Sequence, residues 1–347
     1  MIEFKDKNII ITGGTGSFGK KFLELLLSSK DKPNKIIIFS RDELKQYEMS
    51  KEKLFYQNKK IIRYFIGDIR DISRLTFAFN DVDIVVHAAA LKHVDIAEYN
   101  PFEAIKTNII GSQNVIDAAI NKKVSKVISL STDKASSPSN LYGATKLCAD
   151  KLFIAANNYI GDRDLSFSVV RYGNVFGSRG SVIPYFLNIS KDESFTVTDK
   201  RMTRFSIGLE EGAKFVLNAL SKMKGGEIFV PKIPSYRIMD IVKSIDAKRK
   251  VKFIGIRSGE KLHEQMISLD DSINTIEFND YYIILPQVEY MNLSLKKFID
   301  QSIKKKKAMY CSENFVYESK TNKDFMSVSD IKKYIKRDLK EIKNQKI

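Results

Sequence analysis

The sequence has few of the residues that build metal centres and disulfide frameworks. Its 347 residues include two cysteines and three histidines. Cys148 and Cys311 lie far apart and match no metal-ligand spacing, so we expect two free thiols. No metal site can be assembled from His87, His93 and His263, which we expect to be structural or solvent-facing.

Long apolar runs are also missing. No stretch approaches the roughly 20 apolar residues that a membrane-spanning helix needs. The opening residues, "MIEFKDKNIIIT", combine early acidic side chains with only a short apolar run, which is not typical of a targeting segment. The hydrophobic content of 43% is enough for a sizeable core. We therefore expect a soluble cytoplasmic protein without a membrane partner.

The formal net charge of +16 raises the question of nucleic-acid binding. The lysines are spread along the chain and cluster only at Lys304 to Lys307 and near the C-terminus. They are not interleaved with aromatic residues and arginine in the way that single-strand binders require. We expect a solvated basic surface and no nucleic-acid partner.

The first 175 residues alternate short apolar runs with longer segments of helical pattern. The runs are "KNIIIT", "KIIIFS", "IIRYFIGD", "VDIVVHAAA", "KVISLST" and "LSFSVVRYGN". Continuous apolar runs alternating with helices predict an α/β fold with a doubly wound parallel sheet. After Asn174 the pattern loosens, which suggests a smaller region laid across the carboxyl edge of the sheet, where ligands bind in such folds. We predict a dinucleotide-binding domain over 1–174, a substrate-binding region over 175–290 that partly returns to the first domain, and an unassigned basic tail over 291–347.

A glycine-rich turn follows the first predicted strand. In "NIIITGGTGSFGKKFLELLL", Gly13, Gly16 and Gly19 are spaced three apart between a strand and a helix. Glycines let the backbone approach a pyrophosphate, and the helix N-terminus offers amides and a positive dipole end to it. In this context the triplet predicts a dinucleotide site.

The end of the second strand indicates which dinucleotide binds. An acidic residue there suits a bare ribose, whereas a cation suits a 2′-phosphate. Arg41 follows Ser40 directly, and Lys45 lies one helical turn further on. This pair favours NADP, although Asp42 leaves NAD open. Further along, the predicted strand ends place other residues at the cofactor: Asp68, Ile69 and Ala88.

Tyr142 and Lys146 are spaced i and i+4, so both point from one face of a helix. Tyr47 and Tyr56 also precede a lysine by four residues, but only Tyr142 follows the fifth strand, where the sheet meets a nicotinamide. A tyrosine has a pKa near 10, and lowering it by about three units needs roughly 4 kcal/mol. Lys146 and the oxidised nicotinamide supply this together, so Tyr142 is a candidate base for alcohol oxidation.

Several motifs together resemble one family. They are the glycine turn, "STDKA", "NLYGATKLCADKLF", "RYGNV", "GSRGSVIP", "DKRMTRF" and "IRSGEKLHE". Over about residues 5–290 the chain resembles the extended short-chain dehydrogenase/reductases, and among them the inverting UDP-N-acetylglucosamine 4,6-dehydratases of the pseudaminic acid pathway. Ser258 departs from the proline of that family, and this change removes no functional group.

The resemblance implies roles for "TDK" beyond simple alcohol oxidation. Oxidation of the sugar at C4 makes the C5 proton acidic. Asp133 is then the acid toward O6, Lys134 the base at C5, and Thr132 a partner of the 4-oxygen. Water leaves and hydride returns to C6, which gives UDP-2-acetamido-2,6-dideoxy-β-L-arabino-hex-4-ulose. A lysine acts as a base only if its pKa is depressed, and an Asp-Lys pair that merely decorates a loop is the alternative.

The complete set of expected contacts combines these arguments with the resemblance. The expected cofactor-binding residues are Gly13, Thr15, Gly16, Ser17, Phe18, Gly19, Ser40, Arg41, Asp42, Lys45, Asp68, Ile69, Ala88, Lys92, Tyr142 and Lys146. The expected substrate-binding residues are Lys92, Ser131, Thr132, Asn174, Val182, Thr196, Arg204, Arg257 and Glu260.

Two alternatives to the dehydratase remain open. One is a UDP-hexose 4-epimerase or oxidoreductase, which needs Tyr142 and Lys146 but not Lys134. The other is a non-catalytic NADP-binding sensor. The residue that reprotonates C5, and therefore the configuration there, is also open. Relatives suggest a homo-oligomer, from dimer to hexamer.

Overall fold

The computed structural model describes residues 4–177, 181–190 and 192–343. Part of the motif "GSRGSVIP", residues 178–180, lies outside the described residues. Among the described residues, no helix has the length and apolar character needed to cross a bilayer.

The strands and helices alternate over the first half of the chain. The strands are β1 (Asn8–Thr12), β2 (Lys35–Ser40), β3 (Ile62–Ile66), β4 (Ile84–His87), β5 (Lys126–Thr132), β6 (Ser166–Tyr172), β7 (Asn174–Val175), β8 (Phe195–Val197), β9 (Thr203–Ile207), β10 (Ile228–Pro231), β11 (Ser235–Arg237), β12 (Val251–Phe253), β13 (Gln265–Ile267), β14 (Thr275–Phe278), β15 (Tyr281–Ile284), β16 (Ala308–Tyr310) and β17 (Tyr317–Glu318). The helices are α1 (Ser17–Ser28), α2 (Glu43–Lys51), α3 (Lys53–Gln57), α4 (Ile72–Ala78), α5 (Val94–Tyr99), α6 (Pro101–Ile105), α7 (Gly111–Asn121), α8 (Leu141–Ala156), α9 (Val182–Asn188), α10 (Leu209–Lys222), α11 (Ile238–Asp246), α12 (Leu269–Ser272), α13 (Leu293–Lys304) and α14 (Val328–Lys343). A π-helical turn spans Lys106–Ile110, and 3-10 turns span Asp133–Ala135 and Val288–Tyr290.

Ten of the described strands form one large sheet, in the order β16-β14-β15-β10-β6-β5-β4-β1-β2-β3. The strands from β3 to β10 in this order pair in parallel, whereas β15, β14 and β16 add an antiparallel edge. The order 3-2-1-4-5-6 is that of the dinucleotide-binding doubly wound fold. The predicted fold class and the six predicted strands are confirmed.

The apolar runs of the strands are buried because helices cover the sheet. Ile9, Ile10 and Ile11 of β1 are fully buried, as expected for a parallel strand that is covered on both faces. The flanking helices form two groups: α1 packs against α10, and α7 packs against both α4 and α8. The amphipathic α1 buries one face, with Phe22 and Leu26 in the core.

A second, smaller hydrophobic core lies outside the large sheet. It brings together residues of α9, β8 and α11 with residues of the C-terminal segment, including Met326 and Ile331. The sequence predicts no function for the basic tail over 291–347, although apolar residues at helical spacing near the C-terminus indicate a helix. The structure has α14 there, packed against α11, and adds β16 to the large sheet. Both the sheet and the smaller core therefore use the C-terminal segment.

Candidate active site

A cleft of about 790 Å³ opens at the carboxyl ends of the parallel strands, next to the glycine turn. This is the place where the strand order reverses between β1 and β4, and where doubly wound folds bind ligands. All the residues expected at the cofactor line this cleft: Gly13, Thr15, Gly16, Ser17, Phe18, Gly19, Ser40, Arg41, Asp42, Lys45, Asp68, Ile69, Ala88, Lys92, Tyr142 and Lys146.

The glycine turn has the geometry of a pyrophosphate cradle. Gly13 has φ +67°, and a Cβ there would stand 2.8 Å from the amide nitrogen of Ala89. A Cβ on Gly19 would collide with the carbonyl of Gly14, so glycine is needed for close packing of helix and turn. Gly16 is the N-cap of α1, which has no side-chain cap and no acidic residue in its first turn. The N-terminal amides of α1 are therefore free of side-chain competitors for an anion.

At the end of β2, the charged side chains hold one another in place. Asp42 is the N-cap of α2: it accepts the Lys45 amide at 3.0 Å and the Lys45 ammonium at 2.6 Å. The hydrogen bonds from Lys45 lower the pKa of the Asp42 carboxyl. Arg41 is half-exposed and lies 3.6 Å from Asp68. Thus the carboxylate of Asp42 is occupied by Lys45, whereas Arg41 is half-exposed and lines the cleft.

Helix α8 carries Tyr142 and Lys146 into the same cleft. Asn140 caps the helix by accepting the Gly143 amide at 2.8 Å, so α8 begins just before Tyr142. The other two tyrosines at this spacing, Tyr47 and Tyr56, are on the surface. Position after the fifth strand therefore separated the cleft pair from the chance pairs.

Burial dominates the protonation of the Tyr142–Lys146 pair. It raises the pKa of Tyr142 to about 12, against the opposing effects of the Lys134 charge and a hydrogen bond with Thr132. It also lowers the pKa of Lys146, while the nearby Asp150 carboxylate acts in the opposite direction. Tyr142 is thus a neutral phenol in the protein alone, and the activation expected from Lys146 needs a further positive charge in the cleft.

Asp133 and Lys134 form a hydrogen-bonded pair at the end of β5. Asp133 is fully buried, and its Oδ1 accepts from the Lys134 ammonium at 3.0 Å and from the Thr132 hydroxyl at 3.0 Å. Lys134 Nζ also donates to Asn174 Oδ1 at 3.3 Å and pairs with Glu264 Oε1 at 3.3 Å. The pair is therefore part of the site and does not decorate a surface loop.

The charges around Lys134 hold its proton. Burial favours the neutral amine, but the carboxylates of Asp133 and Glu264 outweigh it and raise the pKa of Lys134 above the usual lysine value. Burial raises the pKa of Asp133 in turn, against the effect of Lys134. The depressed pKa that a lysine base requires is therefore absent from the protein alone, because two carboxylates face one ammonium.

The residues expected at the substrate fall into two groups. Lys92, Ser131, Thr132 and Asn174 line the cleft. The hydroxyl of Ser131 is turned inward and donates to Asp150 at 2.7 Å. The remaining residues lie outside the described lining of the cleft: Val182 on α9, Thr196 on β8, Arg204 on β9, and Arg257 and Glu260 on the loop after β12.

Arg204 donates hydrogen bonds to the backbone of the segment that precedes β13. Its guanidinium donates to the carbonyls of Thr203 at 2.7 Å, Lys261 at 2.9 Å and Leu262 at 3.0 Å. Arg257 is exposed, and its amide contacts Glu260 at 3.4 Å. In this structure Arg204 therefore fixes the segment that carries Glu264.

Sequence reasoning missed three buried charged residues at the site: Glu264, Asp150 and Arg171. Asp150 had a detectable signal, because it follows Lys146 by four residues on the same helix face. Glu264 is the second acid of "SGEKLHE", and nothing in its local sequence shows that it reaches Lys134. Arg171 is a lone cation in an apolar strand, which itself suggests a buried ion pair.

His87 is a buried structural residue, whereas His93 lines the cleft. His87 is buried between the hydroxyls of Thr12 at 2.8 Å and Ser112 at 3.3 Å, and burial lowers its pKa to about 3. Both cysteines are free thiols. No cluster of potential metal ligands occurs within the described ranges.

The chain is similar in sequence to known proteins over most of its length. A family model described as "Polysaccharide biosynthesis protein" matches residues 9–286. The chain is 55% identical to a "UDP-N-acetylglucosamine 4,6-dehydratase (inverting)" of Campylobacter jejuni over 92% of this chain and 94% of that protein. It is 41% identical to a "UDP-glucose 4-epimerase" of Rickettsia akari over 87% of this chain and 89% of that protein.

Solved structures show the same fold. The structure of Pen from Bacillus thuringiensis matches with a TM-score of 0.86 and 38% identity, over 98% of this chain and 100% of that chain. That match includes the C-terminal segment, which the sequence analysis left unassigned. More distant structures, at 20–22% identity, include a nucleotide-sugar dehydratase and an epimerase with NAD bound, and their likeness shows the fold. The chain belongs to the polysaccharide biosynthesis protein family and has the extended short-chain dehydrogenase/reductase fold.

Proposed function

We propose that the protein is an inverting UDP-N-acetylglucosamine 4,6-dehydratase, a hydro-lyase that uses a tightly held nicotinamide dinucleotide. One observation carries the proposal: Lys134 lines the same cleft as Tyr142 and Lys146, and the buried Asp133 accepts a hydrogen bond from Lys134 at 3.0 Å. A dehydratase needs both pairs, because oxidation at C4 and elimination across C5–C6 require separate proton transfers. The high identity to the Campylobacter jejuni dehydratase supports this substrate and reaction.

The chain's own residues account for the proton transfers of oxidation and elimination, and the return of hydride to C6 is completed by a proton added at C5 from Asp133, Lys134 or Tyr142. When bound, the nicotinamide supplies reversible hydride chemistry, from C4 of the sugar and back to C6. Tyr142 would accept the proton of the 4-hydroxyl as a phenolate, stabilised by Lys146 together with the positive charge of the bound oxidised nicotinamide, and Thr132 orients the 4-oxygen. Lys134 removes the C5 proton, and Asp133 protonates the departing 6-hydroxyl so that it leaves as water.

The Asp133–Lys134 pair must first exchange its proton. In the structure Lys134 donates the hydrogen bond to Asp133, so the base carries the proton, which is the reverse of what elimination needs. Transfer of one proton along the 3.0 Å hydrogen bond from Lys134 to Asp133 produces a neutral amine and a neutral acid. No proton is gained or lost by the pair in this step, so the active form is a tautomer of the resting one.

NADP is the proposed dinucleotide. The glycine turn and the uncapped start of α1 suit the pyrophosphate of either NAD or NADP. Asp42, the residue that favours NAD, is occupied by the α2 N-terminus and Lys45. The half-exposed Arg41 lines the cleft at the end of β2, which suits a 2′-phosphate.

Incubation of the purified protein with UDP-N-acetylglucosamine in deuterated water tests the proposal. We expect mass spectrometry to show loss of one water from the sugar, and NMR to show solvent deuterium at C5 with inverted configuration. A sugar that keeps all its oxygens while reduced cofactor accumulates would contradict the dehydratase assignment. Loss of water with retained configuration at C5 would contradict only the inverting assignment.

A 4-epimerase is the second candidate, and the relatives named UDP-glucose 4-epimerase favour it. Lys134→Ala distinguishes the two. In a dehydratase it lowers the rate of water loss by about 10²–10⁴-fold while hydride transfer with the cofactor continues; an epimerase keeps most of its activity. Lys151→Ala, at an exposed position of the same α8 helix, is the matched control.

The remaining parts of the proposal concern context. We propose a place at the first step of pseudaminic acid biosynthesis, a cytoplasmic homo-oligomer, and no nucleic-acid or membrane partner. We also propose that residues 1–174 hold the cofactor and that 175–290 hold most of the nucleotide sugar. Light scattering in solution, cell fractionation and limited proteolysis with and without the cofactor test these points.

A further inference from the structure

Glu264 lies against Lys134, and the proton transfers described above do not use it. Its side chain is 3% exposed, and its Oε1 lies 3.3 Å from Lys134 Nζ. The same oxygen lies 3.7 Å from Arg204 Nε, and the buried Oε2 has no hydrogen-bond partner in the described structure. Lys134 therefore contacts a second carboxylate besides Asp133.

The backbone around Glu264 is fixed by the C-terminal segment. Glu264 directly precedes β13, which pairs with β17. Its amide donates to the Ser319 hydroxyl at 2.9 Å, and its carbonyl accepts the Ser319 amide at 2.8 Å. The Glu264 carboxylate is thus held next to Lys134 by a strand end whose backbone is hydrogen-bonded to Ser319.

The groups that face Lys134 come from several elements. Asp133 shares its turn, Tyr142 comes from α8, Arg204 from β9 and Tyr236 from β11, while Lys261 and Glu264 come from the segment before β13. Of these, Asp133 and Glu264 are the two anions, and Arg204 and Lys261 are the opposing cations. Burial disfavours ionisation of Glu264, but Lys134, Arg204 and Lys261 together lower its pKa, so it remains a carboxylate.

We propose that Glu264 is a positioning residue for the dehydration: its buried carboxylate holds the Lys134 side chain toward Asp133 and stabilises the ammonium that forms when the Lys134 amine takes the C5 proton. This inference rests on the proposed function. The step is the one already written, in which the amine takes the C5 proton and becomes an ammonium. That new positive charge forms 3.3 Å from the Glu264 carboxylate, which stabilises it.

Glu264→Gln tests the proposal, because it keeps the shape and removes the charge. We expect kcat for water loss to fall about 10- to 100-fold, while formation of reduced cofactor from the sugar continues. We also expect the alkaline limb of the pH profile of kcat, where the pair loses its proton, to move to lower pH by about 1–3 units. This is the usual effect of removing an opposite charge at this distance. The sign follows because a lysine without its anion gives up a proton more easily.

Two further variants separate charge from structure. Glu264→Asp moves the carboxylate back by one methylene, so both its kcat and its pH profile should lie between those of the wild type and Glu264→Gln. Glu227→Gln removes another buried carboxylate, which accepts a hydrogen bond from the Lys224 amide. Glu227 directly precedes β10 and therefore lies at the end of the sheet opposite to the cleft. It is expected to lower the melting temperature and leave the pH profile unchanged.

The outcomes distinguish this inference from the proposed function. If the wild type removes no water from UDP-N-acetylglucosamine, the proposed function fails. If the wild type is active and the folded Glu264→Gln variant keeps the wild-type kcat and pH profile, Glu264 has no part in the reaction. A loss of kcat with no shift of the profile overturns the charge argument and leaves a merely structural residue.

Discussion

The buried ion pair behind the active site makes a quantitative prediction. Arg171 of β6 is 2% exposed, and its guanidinium lies 3.4 Å from Asp150 and 3.1 Å from Asp271. It also donates to the carbonyl of Met266 at 3.0 Å. Asp150 is 1% exposed and otherwise accepts only the hydroxyl of Ser131 among its described contacts. Arg171 of β6 thus joins α8, which carries Tyr142 and Lys146, to β13 and α12.

Arg171→Met keeps the length of the side chain and removes its charge. Breaking a buried pair by deleting one partner costs about 3–5 kcal/mol, because the remaining charge is uncompensated. Burial already raises the pKa of Asp150, and loss of Arg171 raises it further. When a carboxyl has a higher pKa in the folded protein than in the unfolded chain, the folded protein becomes less stable as the pH rises above the unfolded pKa, which is near 3.8 for Asp150. The free energy of unfolding falls by about 1.4 kcal/mol per pH unit until the pH reaches the folded pKa. The penalty is therefore largest at alkaline pH and shrinks as the pH falls.

Urea denaturation at pH 8 and at pH 5.5 measures this effect. We expect Arg171→Met to lower the free energy of unfolding by about 3–5 kcal/mol at pH 8 and by clearly less at pH 5.5. The double variant with Asp150→Asn removes the fully buried charge and leaves only the partly exposed Asp271 without its arginine, so it should recover a large part of the loss. Equal losses at the two pH values, or a double variant as unstable as the sum of the two single ones, would refute the reasoning.

Two further predictions concern the cofactor end of the cleft. Arg41→Ala should weaken NADP binding by about 10- to 100-fold, which corresponds to the free energy of a hydrogen bond to a charged group. It should leave NAD binding nearly unchanged. Titration of the variant with both nucleotides measures the two affinities, and equal losses for both would contradict the role of Arg41. Gly13→Ala should abolish binding of either nucleotide, because φ is +67° and the new Cβ would lie 2.8 Å from Ala89 N. Gly161→Ala is its control, since φ is +62° with nothing within 4 Å, and it should cost only about 1–2 kcal/mol of stability.

The parallel half of the fold could be predicted because its signals are local. Each of β1 to β6 contains a short, mostly apolar run, and the glycine turn lies between a strand and a helix. The antiparallel edge and the smaller core could not be predicted in this way. Met326 and Ile331 are buried against residues of α9 and α11 more than 80 positions earlier, and such long-range packing leaves no periodic pattern in a short window.

The same limit explains which parts of the site were found. Tyr142 and Lys146 share one helix face, and the Asp133–Lys134 pair follows directly from adjacent positions in a motif. The proton state of the pair depends on Glu264, which is 130 positions from Lys134 and lies beside it because Arg204 holds the preceding segment and β17 pairs with β13. A motif can name the acid and the base, but the charge that decides which of them carries the proton is set by tertiary structure. The pH dependence of dehydration is therefore a property of the whole fold, including the C-terminal segment, and we expect it to respond to variants there that never touch the sugar.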